Sequence, residues 1–188
     1  LFTGCFFASS SKAFTAQPLH IKLLIKTNTE NKMRLLLASL ICVISPTVAT
    51  ACLPTDLCAR ITGLSDQPLG TWGGTGDLTS DYTLCVYVQN DNESNYEVTG
   101  TGDGAGNAYI LTNGTSDISM TVEYEEDSAP GWVVLNENIA TIFPNPNTAD
   151  ETCGVGGNSA KVRVTVDESV MQYTTSGSYS GNVNLLVS

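Results

Sequence analysis

Two carboxylate clusters and one glycine-rich segment are the places in this sequence where residue type and spacing could support chemistry. Asp91, Asn92 and Glu93 in "NDNES", with Asp103 in "GDGAGN", are hard-oxygen donors of the kind calcium takes. Their spacing lacks the glycine and terminal glutamate of an EF-hand. Asn, Asp and Gly are also what tight turns require, so the turn reading is preferred. Glu123 to Asp127, "EYEED", gathers carboxylates as a glycosidase does. Acid–base hydrolysis needs two carboxyls facing across a cleft with their pKa values driven apart. Consecutive strand residues point to opposite faces, which makes this run a solvated strand end. "GTGDGAG" has the glycine density of a phosphate loop, but no Lys-Ser/Thr follows it and no helix begins there. Trp72, Trp132 and Tyr87 are candidates for a sugar-binding shelf, although tryptophans in a small sandwich more often belong to the core.

The single histidine is His20. It precedes a segment, "MRLLLASLICVISPTVATA" (33–51), with the parts of a secretory signal peptide: one Arg, an apolar run, a Pro break and an Ala-x-Ala end. Cleavage is expected between Ala51 and Cys52. A chain cut there has no imidazole, which excludes Ser-His-Asp and Cys-His mechanisms and the usual histidine metal sites. No catalytic residue, cofactor or metal site is therefore assigned, and the expectation is a protein that is not an enzyme.

Residues 1–32 begin with Leu and have no clear periodicity over their length. They read as an over-extended gene call, because Thr29-Glu30 is compatible with a ribosome-binding sequence just ahead of the Met33 codon; the rival reading is a pro-segment. Neither gives the stretch a role in the fold. From Cys52 to Ser188 there are 137 residues (188 minus 51), the size of one domain. That part holds 18 acidic residues against Arg60, Lys161 and Arg163, a formal charge of −15 (3 minus 18). Such a balance argues against nucleic acid and anionic membranes as partners.

Cys52, Cys58, Cys85 and Cys153 follow the cut. An even count in an exported chain reads as two disulfides in an oxidising compartment. Cys52 after Thr-Ala also has the look of a lipoprotein acceptor, but lipidating it would strand three thiols. A Cys58–Cys85 bridge would tie the first strand to the second, stabilising by roughly 3 to 4 kcal/mol in the chain-entropy picture. Cys52 and Cys153 would then form the complement. Pairing of Cys58 with Cys52 or Cys153 is the alternative.

The elements that would carry these residues are strands. "DYTLCVYVQ" alternates Tyr82, Leu84, Val86 and Val88 against Thr83, Cys85, Tyr87 and Gln89. "SNYEVTGTG" and "NAYILTNG" follow, joined by the glycine-rich stretch. "DISMTVEYEED" sets Ile118, Met120, Val122 and Tyr124 on one face. "PGWVVLN" and "NIATIF" are short apolar pieces before a seventeen-residue loop carrying Cys153. "KVRVTVDES" points Val162, Val164 and Val166 inward, and "SGSYSGNVNLLVS" closes with Tyr179, Val183, Leu185 and Val187 on one face. Six to eight short strands with turns between them, and no helical period longer than ten residues, predict an all-β antiparallel sandwich of immunoglobulin-like build, with no second domain.

The order "C…ITGLSDQPLGTW", "LCVY", "YILTNG…ISMTVEY" and "VRVTV…TSGSYSGNVNLLVS" resembles the spore coat protein U domain, a family that includes subunits of archaic chaperone-usher pili. The likeness runs from Cys58 to Ser188. It implies an incomplete sandwich whose missing seventh strand is supplied first by a periplasmic chaperone and then by the N-terminal extension of a neighbouring pilin subunit, at an outer-membrane usher. It also implies a Cys58–Cys85 bridge, and a last strand opened by Gly177-x-Tyr179 that lines the groove with Tyr179, Val183, Leu185 and Val187. The function implied is that of a structural pilus subunit on the surface of a Gram-negative bacterium, after transit through the periplasm. Only "CLPTDL" precedes Cys58 after cleavage, too short a donor, which suits a terminal or tip position or a solitary member that closes its own groove; cleavage at another point, leaving a longer extension, is the remaining reading. The alternative is a solitary secreted module that binds glycan or calcium.

Overall fold

The computed structural model describes residues 13–14, 16–25, 58–89, 95–144, 146–150, 153–154 and 159–188; before residue 58, only the side chain of Ile21 is described. Its strands are β1 (Ala13–Phe14), β2 (Ala16–Ile25), β3 (Cys58–Thr62), β4 (Gln67–Trp72), β5 (Leu78–Gln89), β6 (Asn95–Gly102), β7 (Ile110–Thr112), β8 (Asp117–Ser119), β9 (Thr121–Glu126), β10 (Ala129–Val134), β11 (Ala140–Pro144), β12 (Ala160–Val166) and β13 (Gly177–Val187). A 3-10 turn at Ala105–Asn107 and one four-residue helix, α1 (Glu168–Met171), are the helical pieces among the described residues. Neither is long and apolar enough to cross a membrane.

Two sheets form a sandwich. One has the order β1-β3-β5-β12-β9-β10; the other runs β11-β6-β13-β2-β4, with β7 and β8 attached through β13. Pairing is antiparallel except between β1 and β3 and between β2 and β4. The alternation legible in the sequence sets the core. Ala160, Val162, Val164 and Val166 of β12 are fully buried, facing inward alongside Tyr82, Leu84 and Val86 of β5 and Val122 and Tyr124 of β9. Each of the buried valines and Leu84 contributes about 1.5–3 kcal/mol through removal from water.

The strands outnumber those expected in part because β1 and β2 come from a stretch given no role in the fold, and in part because two runs change sheet. "ARITGLSDQPLGTW" divides into β3 in one sheet and β4 in the other. Gly63 follows β3 with φ +92°, a left-handed conformation that a side chain resists. "DISMTVEYEE" divides at Met120, whose N–H donates to the carbonyl of Tyr109, leaving β8 with β7 and β9 with β12. The alternation continues through the second break, from Ile118 and Met120 to Val122 and Tyr124, whereas in β4 the buried residues, Leu69 and Trp72, are three apart.

The cysteine pairing differs from the expectation. Cys85 is bonded to Cys153, with Cα atoms 5.8 Å apart, and Cys58 is itself disulfide-bonded. A Cys58–Cys85 bridge is excluded by register: on the β3–β5 pair Cys58 lies opposite Gln89, and Cys85 lies opposite Thr62. Four residues of offset along a strand is about 13 Å, far beyond the Cα separation that a disulfide spans. Cys52 lies outside the described residues.

The bridge also explains why β5 is buried on both faces. Cys85 and Tyr87 point away from the core, yet they are 5% and 8% exposed. The loop carrying Cys153 covers them: Asn147 forms a bridge with Tyr87, and the N–H of Val88 donates to the Asn147 carbonyl at 3.0 Å.

Candidate strand-acceptor site

The last strand, β13, needs a neighbour on each edge. On one edge it pairs with β6, from Val183↔Gly102 to Val187↔Val98, and touches β7 at Ser180↔Thr112. On the other it pairs antiparallel with β2 along nearly its whole length, from Gly177↔Ile25 to Leu186↔Ala16. The far edge of β2 runs parallel to β4, from Ile21↔Gln67 to Ile25↔Trp72, with a register shift between Lys22 and Leu23. A stretch to which the sequence reading assigns no role in the fold therefore occupies a central place in the second sheet.

The walls of that place are apolar. Tyr179, Val183, Leu185 and Val187 on β13 are fully buried, as is Ile21 of β2; Leu69 and Trp72 on β4 are 5% and 8% exposed. Polar groups at the rim hold the walls. The Tyr179 hydroxyl donates to the carbonyl of Thr175 at 2.8 Å, and the indole Nε1–H of Trp72 donates to the carbonyl of Gly76 at 2.8 Å. Asp103 Oδ2 accepts from the backbone N–H (3.1 Å) and side-chain Nδ2 (2.6 Å) of Asn182. Gly102 and Gly181 let the 108–110 segment lie directly on β6 and β13. A Cβ at Gly102 would meet the Ala108 carbonyl, and one at Gly181 the Ile110 carbonyl oxygen.

The other candidates from the sequence are not brought together. Asp103 is engaged with Asn182, while Asp91, Asn92 and Glu93 lie outside the described residues. Among the described residues no group of three or more His, Cys, Asp and Glu side chains is arranged to hold a metal ion. Trp72 and Tyr87 are buried, and Trp132 lies on the outer face with the Arg163 guanidinium 4.0 Å from its ring centroid, so the three form no shelf. In "EYEED", Glu125 pairs with Lys161 at 3.2 Å and accepts from the Gly131 N–H, and Asp127 is 3.3 Å from the same lysine.

Glu126 departs from the solvated-end reading: it is 3% exposed, and its Oε2 has no hydrogen-bond partner. Its position in β9 shares the inward parity of Val122 and Tyr124. Burial, followed by the nearby charge of Asp127, raises its pKa above the usual carboxylate range, against a hydrogen bond from Ser128 that lowers it. Deeper in, the Tyr96 and Tyr124 hydroxyls are 2.8 Å apart, and desolvation raises both phenol pKa values. The carboxylate that acts on Glu126 is that of its chain neighbour Asp127, which is not the partner across a cleft that glycoside hydrolysis requires.

The segment that fills the sheet was missed because its periodicity is short. Leu19, Ile21 and Leu23 alternate with His20 and Lys22 before Leu24 breaks the pattern, a period of two confined to five residues within a stretch otherwise without pattern.

No family model matches the sequence, and no curated protein does. Two solved structures resemble the fold. One is a chaperone–tip adhesin complex described as vital for activation of CFA/I fimbriae biogenesis; it has TM-score 0.46 and 15% identity over 71% of this chain. This chain spans 38% of that one's length. The other is a Burkholderia pseudomallei antigen and type I fimbria protein, with TM-score 0.35 and 11% identity, covering 94% of this chain and 98% of that one. At these scores neither likeness carries an argument about what this chain does.

Proposed function

We propose that the protein is a structural, non-enzymatic subunit of pilin type, whose sandwich is completed by a strand received between β13 and β4. One observation carries this reading: the strand now in that place, Ala16–Ile25, lies on the far side of the expected cleavage point between Ala51 and Cys52. Without it, β13 would present an unpaired edge, and Tyr179, Val183 and Leu185 would lose the strand beside them. An open edge over an apolar groove is the arrangement that strand addition in trans completes. At about 25 cal/mol per Å² of apolar surface, filling such a groove favours tight assembly.

The resemblance to the spore coat protein U domain supplies the partners: a periplasmic chaperone, an outer-membrane usher and neighbouring subunits, with export and surface assembly in a Gram-negative cell. The six residues from Cys52 to Leu57 are too few for a donor strand of ordinary length, which favours a terminal or tip position. The test is to produce Cys52–Ser188 in a bacterial periplasm with and without a co-produced pilus chaperone. Loss of the subunit alone and its recovery as a chaperone complex are expected. A stable folded monomer without any partner would overturn the reading.

A further inference from the structure

We propose that Ala16–Ile25 is an intramolecular complementing strand, so that any form of the chain retaining it closes its own acceptor groove and refuses an incoming one. This rests on the groove reading above and goes beyond it, because it assigns the occupant to the same chain. β2 satisfies both open edges, antiparallel to β13 and parallel to β4. Its central residue, Ile21, is fully buried and lies opposite Gly181.

The connection makes closure in cis physically easy. Thirty-two residues (57 minus 25) separate β2 from β3. Fully extended they reach on the order of 100 Å, several times the roughly 14 Å radius of gyration of a domain this size. A tether of this kind holds its strand at an effective concentration of up to about millimolar. A competing strand at micromolar concentration must then bind about a thousandfold better to displace it. Removal of residues 1–51 ends that advantage and opens the groove, so the cut expected for export would also convert a closed chain into an acceptor.

The test uses a fluorescent peptide of the sequence AQPLHIKLLI and three proteins: the full chain, its Ile21→Asp variant, and Cys52–Ser188 refolded with the peptide present. The full chain is expected to be a monomer that binds the peptide at least a hundredfold more weakly than Cys52–Ser188 does, and Ile21→Asp is expected to restore binding. Amide hydrogen exchange on the unmodified full chain provides a check that needs no variant: residues 19–25 should be protected to the same degree as β13. If the full chain binds peptide as readily as Cys52–Ser188, or residues 19–25 exchange freely, closure in cis is wrong while the groove survives. If Cys52–Ser188 ignores the peptide and is as stable as the full chain, the groove reading itself fails, and closure with it.

Discussion

The hydroxyl of Tyr179 donates to the carbonyl of Thr175 at 2.8 Å, tying the start of β13 to the segment that leads into it. The Thr175 side-chain oxygen lies 3.0 Å from the same hydroxyl. Tyr179 is fully buried, so its ring packs in the core while its polar tip is satisfied at the rim. Tyr179→Phe keeps the ring and removes the bond; a loss of about 1–2 kcal/mol in urea unfolding is expected. A variant as stable as the parent would mean that the hydroxyl does not hold the start of the strand.

The disulfide assignment is open to peptide mapping. Digestion without reduction should yield a fragment linking Cys85 to Cys153. A fragment linking Cys58 to Cys85 would contradict the β3–β5 register. The bridge closes a loop of 68 residues, for which chain entropy predicts roughly 4 kcal/mol. Replacing both Cys85 and Cys153 by Ser should lower stability by an amount of that order.

Glu126 should make stability fall as pH rises through the carboxylate range. Its folded pKa is raised by burial, so below the unfolded value, about 4.3, the group is neutral in both states and costs nothing. Above that value the unfolded chain ionises freely while the folded one resists, and the folded state loses ground until pH passes the raised pKa. Glu126→Gln should therefore be the more stable protein at pH 7.5 and nearly equal to the parent at pH 3.5. Parallel denaturation curves for the two proteins across that range would show that the carboxyl is not buried as described.

Gly181 and Gly102 should tolerate no side chain. Gly181→Ala drives a methyl into the Ile110 carbonyl, and Gly102→Ala drives one into the backbone of Ala108; backbone atoms cannot swing aside as a flexible side chain does. A loss of about 1–3 kcal/mol is expected for each. Gly73→Ala is the control: a methyl there would meet no heavy atom within 4 Å, and the variant should stay within about 0.5 kcal/mol of the parent. Equal stability of all three variants would remove the close approach of the 108–110 segment as a reason for these glycines.

The sequence alone determined the all-β class and the inward faces of β5, β9, β12 and β13, because a period of two is a local property that needs no knowledge of the partner strand. It also located the residues that line the last strand. It did not determine which sheet each half of "DISMTVEYEE" joins, since alternation continues unbroken past Met120. Nor did it reveal that Cys85 reaches Cys153: the choice follows from a register offset between β3 and β5 that no spacing records. Glu126 looked solvated beside other carboxylates, yet it lies inward by parity and is buried in the folded chain. The placement of Ala16–Ile25 between β13 and β4 was decided by tertiary structure alone. Edge pairing and groove filling are non-local, and a five-residue alternation acquires meaning only beside two strands that lack a neighbour.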